Sequence, residues 1–291
     1  MLKIYNFKNI PKFNNPIFLL GAFESFHIGH NLLLDKAKEL NKKNNNTRDI
    51  VLVFFADVEN LPKNNKEIFS DLKNRVQEFS NIGFQYAIQL KYNEVGYLQA
   101  EDFIKKLVSK QSDYSLIIGK EFKFGFKAQG DYKLLNNLYC DRVYSIEPLK
   151  LNNNMKVSTT FLKENLVDGD IDILNTLNVF PYSFSCDIHQ DEDVIKIIKH
   201  DLLITLHNGV YLVNVEIGEL TYFAILQVNF DMSYYLYFID FKLQSQEYLF
   251  ARIIVLNKIR LFMKNEKEKI NDNDIFVAKN EFIKLISQNK L

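Results

Sequence analysis

An apolar run, Ile17-Phe18-Leu19-Leu20, breaks at Gly21 and passes through Ala22-Phe23-Glu24-Ser25-Phe26-His27-Ile28-Gly29-His30 into Asn31-Leu32-Leu33-Leu34-Asp35-Lys36-Ala37. A buried-strand run, a glycine turn and a helix-like run, in that order, are the parts of a parallel α/β unit. The start of a helix carries unsatisfied N–H groups and a partial positive charge, which suit it to phosphate. His27 and His30 fall on one face of that start, and each imidazole can donate a hydrogen bond to a phosphate oxygen. Gly29 lets a ligand come close to the backbone. The arrangement suits in-line attack on a nucleotide α-phosphate, where positioning and electrostatics carry most of the catalysis. The plain alternative is a pair of surface histidines at a helix start; the strand–turn–helix setting argues against it.

The same alternation continues through the first half. Helical spacing at 31–40, a continuous apolar run at 50–55, a helical stretch at 70–81 with Leu72, Val76 and Phe79 as its stripe, a short strand at 86–90, a helix at 100–109 and a strand at 115–119 ending in Gly119 follow one another. Strands alternating with helices predict a parallel sheet covered on both faces, with ligands at the carboxyl ends of the strands. The His27/His30 turn and Gly119 both fall at such ends. Asn/Lys-rich stretches, Asn41-Lys42-Lys43-Asn44-Asn45-Asn46, Lys63-Asn64-Asn65-Lys66 and Leu151-Asn152-Asn153-Asn154, read as loops. The Asp168-Gly169-Asp170 turn and Pro181 mark a break. Beyond it, β-rich runs at 209–215, 222–228 and 235–241 are spaced as in an antiparallel sheet or barrel. Residues 253–262 read as strand or helix, and 274–288 as a closing helix. The predicted domains are 1–182 and 183–291.

Bulk properties narrow the function classes. The 291 residues carry 36 Lys+Arg against 36 Asp+Glu, a formal net charge of zero, so no nucleic-acid partner is expected. With 47% hydrophobic and 25% charged residues the chain reads as soluble and globular. No apolar stretch approaches the ~20 residues of a membrane span, and no leader is evident, so a cytoplasmic protein without membrane partners is expected. The two cysteines, Cys140 and Cys186, have no metal-ligand spacing and read as small buried or half-buried side chains.

Two further segments bear chemistry. In Ile118-Gly119-Lys120-Glu121-Phe122-Lys123-Phe124-Gly125-Phe126-Lys127-Ala128-Gln129-Gly130-Asp131, a strand ends in glycine and basic and aromatic residues then alternate. Lys123 and Lys127 can approach phosphates, and Phe122, Phe124 and Phe126 offer flat surfaces for stacking. A half-buried strand with core phenylalanines and solvated lysines gives the same alternation. In Lys156-Val157-Ser158-Thr159-Thr160-Phe161-Leu162-Lys163-Glu164, hydroxyls gather at the start of a helix. They read as a plain N-cap or as holders of triphosphate oxygens, with Lys163 a cation one turn in.

In order and separation these segments resemble the bacterial bifunctional riboflavin kinase/FAD synthetase family, whose motifs read GxFDGVHxGH, GxDFRFG followed by G-D, and SSTxIR. Here they read GAFESFHIGH, GKEFKFG followed by Gly130-Asp131, and VSTTFLKE. The resemblance implies a Rossmann-like α/β nucleotidyltransferase domain followed by a smaller antiparallel β-barrel with a C-terminal helix. It implies adenylyl transfer from ATP to FMN with Mg2+, small-molecule substrates only, and His27 and His30 as catalytic residues. Gly21, Phe23, Gly29, Ser158, Thr159, Thr160 and Lys163 would bind ATP phosphates. Gly119, Phe122, Lys123, Phe124 and Gly125 would border the flavin or nucleotide.

Departures stand beside the matches. The usual Asp is Glu24, the usual Gly-Val is Ser25-Phe26, and the usual Arg-x-Arg pattern gives Phe161 and Lys163, which lacks the bidentate fork of arginine. The family's proline-rich stretch after the second strand reads Phe54-Phe55-Ala56-Asp57-Val58, and no role is carried over to Asp57. In the second half, Asn208-Gly209-Val210-Tyr211 resembles the family's GVY strand. No glycine-rich Pro-Thr-Ala-Asn segment occurs between Cys186 and Asn208; the interval holds His189-Gln190-Asp191-Glu192-Asp193 and 194–206 instead. The glutamate expected as general base matches Tyr235, and a tyrosine of pKa ~10 is a poor base at neutral pH. A kinase-dead barrel is therefore expected. The residues leave open a working kinase, a nucleotidyltransferase acting on another phosphorylated alcohol or pantetheine, and a non-catalytic flavin- or nucleotide-binding module. They do not give the oligomeric state.

Overall fold

The computed structural model describes residues 1–152, 154–191, 194–239, 241–243, 247–264 and 267–288. Asn153, Glu192, Asp193 and Asp240, each part of a segment read above, lie outside the described residues. The chain forms two compact units, one of residues 1–68 and 75–159, the other of residues 69–74 and 160–291.

The first unit is the parallel α/β layer. Its strands are β1 (Lys3–Asn6), β2 (Ile17–Leu20), β3 (Ile50–Phe55), β4 (Tyr86–Leu90), β5 (Ser115–Gly119) and β6 (Val143–Ile146). They pair in parallel in the order β1-β4-β3-β2-β5-β6. Strand β2 is buried along its whole length, as a continuous run in a sheet covered on both faces must be. The helices are α1 (Ile28–Lys42), α2 (Leu72–Ile82) from Arg75 onward, α3 (Tyr92–Val95), α4 (Ala100–Val108) and α5 (Tyr132–Tyr139). Helix α4 buries Phe103, Ile104 and Leu107, the face its spacing predicts. Strand order reverses at β2: β3 lies on one side and β5 on the other, so the carboxyl ends of β2 and β5 flank a topological switch point. Leu20 pairs with Ile118, which sets Gly21 and Gly119 directly beyond an in-register pair.

Helix α2 buries Phe79 of its expected stripe and half-buries Val76, but otherwise departs from the expected face. Leu72 is 39% exposed, whereas Asp71, Asn74, Arg75, Glu78 and Phe79 are buried. That set has perfect helical spacing but is mostly polar, so a search for an apolar stripe picks the wrong side.

The second unit holds α6 (Thr159–Asp168) from Thr160 onward, α7 (Ile171–Leu177), and strands β7 (Ser183–Asp191), β8 (Val194–Lys199), β9 (Gly209–Ile217), β10 (Leu220–Val228), β11 (Tyr234–Phe238) and β12 (Leu249–Leu261), then α8 (Asp272–Ser287). The strands close an antiparallel barrel in the order β10-β11-β8-β7-β12-β9. Residues 253–262 resolve as strand: β12 pairs with β7 along one edge and with β9, through two bulges, along the other. Val210, Leu212, Ile225 and Phe262 pack with Ala278 and Phe282 of α8. Buried Arg252 donates to Asn74, Ser183 and Glu216. Cys186 is buried as expected, but Cys140 is exposed. Among the described residues no helix is long and apolar enough to cross a membrane.

Candidate active site

The turn between β2 and α1 is built around two histidines. His27 is the N-cap of α1: its backbone is extended and its Nδ1 accepts the His30 N–H at 3.3 Å. In a neutral ring that acceptor role leaves the proton on Nε2, the outward donor. The His27 and His30 rings stack with centroids 3.9 Å apart and planes at 17°. Gly29 suits this packing, since a Cβ there would lie 3.0 Å from the His27 ring. Burial, followed by the nearby Lys156 charge, lowers the His27 pKa to about 4, against an opposing backbone hydrogen bond. His30 is held well below its ordinary value by burial and by His27, with the Ser25 backbone acting in the opposite direction. Both rings are neutral at pH 7 in this state.

Phe23 is fully buried with φ +48°. Its ring packs on Phe26 and on His30, at centroid distances of 5.8 and 4.9 Å. It fills the space where a Cβ on Gly21 would lie, 2.9 Å from the ring. Gly21 and Phe23 therefore shape the turn.

The third segment reaches this turn. Thr159, at the start of α6, shares a 2.7 Å hydroxyl–hydroxyl hydrogen bond with buried Ser25. Ser158 precedes it, half-buried. Thr160 is exposed and Lys163 half-buried further along the same helix, in residues grouped with the second unit. Lys156 pairs with Glu121 of the second segment and lies close enough to His27 to depress its pKa. Lys156, then Lys150 and Lys63, hold the Glu121 carboxyl below its ordinary range. Glu24 accepts from Asn64 at 3.2 Å, so the lysine-rich loop 61–67 folds back onto the turn.

The second segment is divided between core and surface. Gly119 ends β5, with open space where a Cβ would be. Phe124 is buried and stacks on half-buried Phe122, centroids 5.8 Å apart. Phe124 exchanges backbone hydrogen bonds with Gly130. Gly125 has φ +73° and sits against Ala100, where a Cβ would come within 2.7 Å. Lys123 is exposed and pairs with Asp131 at 2.9 Å. Phe124 and Gly125 thus set the loop's shape, whereas Phe122 and Lys123 lie nearer the surface. Asp57 caps α3 by accepting the Tyr92 N–H.

All three segments therefore converge in the first unit, joined by Ser25–Thr159 and Glu121–Lys156. Ser25, Lys156 and Arg75, which holds the turn from below, are the residues the sequence reading did not single out. Ser25 stood there as a departure and Lys156 as a flanking residue; Arg75 lay in a helix whose charged face reads as solvated.

A family model described as FAD synthetase matches residues 10–161, more than half of the chain. The bifunctional riboflavin kinase/FMN adenylyltransferase of Buchnera aphidicola subsp. Schizaphis graminum is 26% identical, over 99% of this chain and 96% of its own length. The protein of the same description from Bacillus subtilis is 22% identical, over 75% of this chain and 73% of its own. Among solved structures, a Streptococcus pneumoniae chain described as a macrolide-efflux protein superposes with a TM-score of 0.75 at 18% identity, over 99% of both chains, a likeness of fold. With its parallel layer, its barrel and its three converging segments, the chain belongs to the FAD synthetase family and is a nucleotidyltransferase enzyme.

Proposed function

We infer that this enzyme transfers AMP from ATP to FMN, giving FAD and pyrophosphate, and that its barrel has lost riboflavin kinase activity. The observation that carries the first part is the convergence of the histidine turn, the Gly119–Gly125 segment and the Ser158–Thr159 helix start at the carboxyl ends of β2 and β5. FMN adenylyltransferase stands in the names of its relatives.

In this reading an FMN phosphate oxygen attacks the α-phosphorus of ATP. The new O–P bond forms as the bond to the β-phosphate oxygen breaks, and pyrophosphate leaves. His27 and His30 donate to the phosphate oxygens as charge shifts toward the leaving group. Entering as neutral rings, they carry no charge that must first be desolvated, and an arriving polyanion favours their protonation. Ser158 and Thr159 hold the β- and γ-phosphates. Lys156 adds a cation beside His27. Gly119, Phe122 and Lys123 border the flavin or nucleotide, on the loop that Phe124 and Gly125 hold in shape. Among the described residues no three His, Cys, Asp or Glu side chains group as a metal site. Magnesium, carried by ATP, would supply charge neutralisation on the phosphates.

Support for the second part is the interval between β7 and β9. It carries no glycine-rich phosphate loop, and Leu203, Ile204 and Leu206 are buried there. Tyr235 occupies the expected position of the base. The full-length match to bifunctional relatives favours the second reading, in which the barrel is still a kinase.

The test is chromatography of products from Mg·ATP with FMN, riboflavin or phosphopantetheine. FAD from FMN and no FMN from riboflavin is expected. FMN from riboflavin would establish the bifunctional reading, and adenylylation of phosphopantetheine without FAD would replace the substrate.

A further inference from the structure

Arg75 is one of the largest side chains in the molecule to be fully buried, at 1% exposure. Taking a guanidinium out of water is costly unless its donors are met. Its partners include backbone carbonyls at the edge of the candidate site. Nη1 donates to Phe55 O at 2.8 Å and to Phe23 O at 3.3 Å, and Nη2 donates to Ala56 O at 2.8 Å. One rigid fork thus grips both the turn after β2 and the end of β3. Backbone bonds, Gly21 N–H to Val53 O and Phe55 N–H to Ala22 O, join the same two segments at 3.3 Å each.

The residue gripped is the one under strain. Phe23 holds φ +48°, a conformation that a phenylalanine adopts only when its surroundings impose it. In that conformation its ring lies against His30. The physical path runs from the guanidinium to the Phe23 carbonyl, through the Phe23 ring, to the His30 imidazole. Nothing in the path requires Arg75 to touch a substrate.

We propose that Arg75 is a positioning residue for adenylyl transfer: it locks the left-handed Phe23 turn and thereby fixes His30 against the transferring phosphate. The proposal rests on the FMN adenylyltransferase reading above. Lysine keeps the charge but lacks the fork that reaches separate carbonyls. Arg75→Lys should therefore lower kcat by about tenfold or more while the KM values for FMN and ATP stay within about threefold. Because the effect passes through His30, the same substitution should cost less than about twofold in a His30→Ala background.

The experiment is a double-mutant cycle of wild type, R75K, H30A and the pair, read as FAD formed from FMN and Mg·ATP, with circular dichroism of each variant. Wild-type FAD formation is the control for the underlying reading; its absence would refute that reading, whatever the variants do. With that control satisfied, a folded R75K with unchanged kcat overturns the proposal, as does a loss in R75K that adds in full to that of H30A. Should R75K not fold, Phe23→Leu severs the ring contact with His30 while leaving the carbonyls in place. A fall in kcat of about tenfold at steady KM supports the proposal, and unchanged turnover overturns it.

Discussion

His27→Ala or His30→Ala removes a donor placed where charge develops, and each is expected to lower FAD formation by ~10²-fold or more. The loss in the double variant should fall short of the product of the two, since the stacked rings act as a unit. Steady-state kinetics on variants with wild-type circular dichroism checks both expectations. Near-normal turnover in a folded double variant would remove the histidines from the mechanism. The same burial that keeps His27 neutral makes folding sensitive to pH. Its ordinary value of 6.5 falls to about 4 in the fold, so below 6.5 the unfolded chain takes up a proton that the folded chain does not. The stabilisation is complete above pH 6.5 and is lost as pH falls toward 4. At 1.36 kcal/mol per unit it amounts to about 3 kcal/mol, so urea unfolding of His27→Gln between pH 7 and 4.5 should lose less stability than wild type. At this scale the legible residues were those whose chemistry and spacing are local: His27, Gly29 and His30 follow one another in the chain. Ser25, Lys156 and Arg75 matter through partners far off in sequence, such as Thr159, Glu121 and Phe55, and no local pattern announces those pairings.

Among the elements, strands β2, β3 and β5 were legible because a strand buried on both faces reads as an unbroken apolar run. Strands β7 and β8 were not read. Ser183–Asp191 alternates Phe, Cys and Ile with Ser, Asp and His, and no glycine or proline falls between Cys186 and Asn208 in the sequence to mark a break. Helix α2 buries Phe79 but otherwise turns from the expected face, because hydrogen-bonded polar groups can line a buried side as well as apolar ones can. The Phe122–Gly125 alternation was open to a core or a pocket reading, and both apply in part: Phe124 packs in the core and Lys123 is exposed. Gly125 is where this segment is least tolerant. At φ +73°, with Ala100 2.7 Å from a would-be Cβ, Gly125→Ala combines strain with a clash. It should cost about 1–3 kcal/mol in denaturant unfolding. Since Gly125 directly follows Phe124, the variant should also raise the KM for FMN. A variant as stable as wild type would show that the loop adjusts freely.

For the whole molecule, alternating strands and helices were enough to foresee a parallel sheet, but not the order β1-β4-β3-β2-β5-β6 that places the switch point beside the histidines. That order depends on which strands pair, which is a long-range property. The barrel agrees with the spacing of the β-rich runs and with the family resemblance, but the strand order that closes it is again a long-range property. Closure depends on the length of β12, which serves β7 and β9 along opposite edges. A sheet whose edges are joined has no open edge to protect. The central claim, attack by the FMN phosphate on ATP in the first unit, is tested most directly with FMN carrying oxygen-18 in its terminal phosphate oxygens. After incubation with Mg·ATP, mass spectrometry should find all of the label in FAD and none in pyrophosphate. Label lost to pyrophosphate, or no FAD at all, would contradict the account.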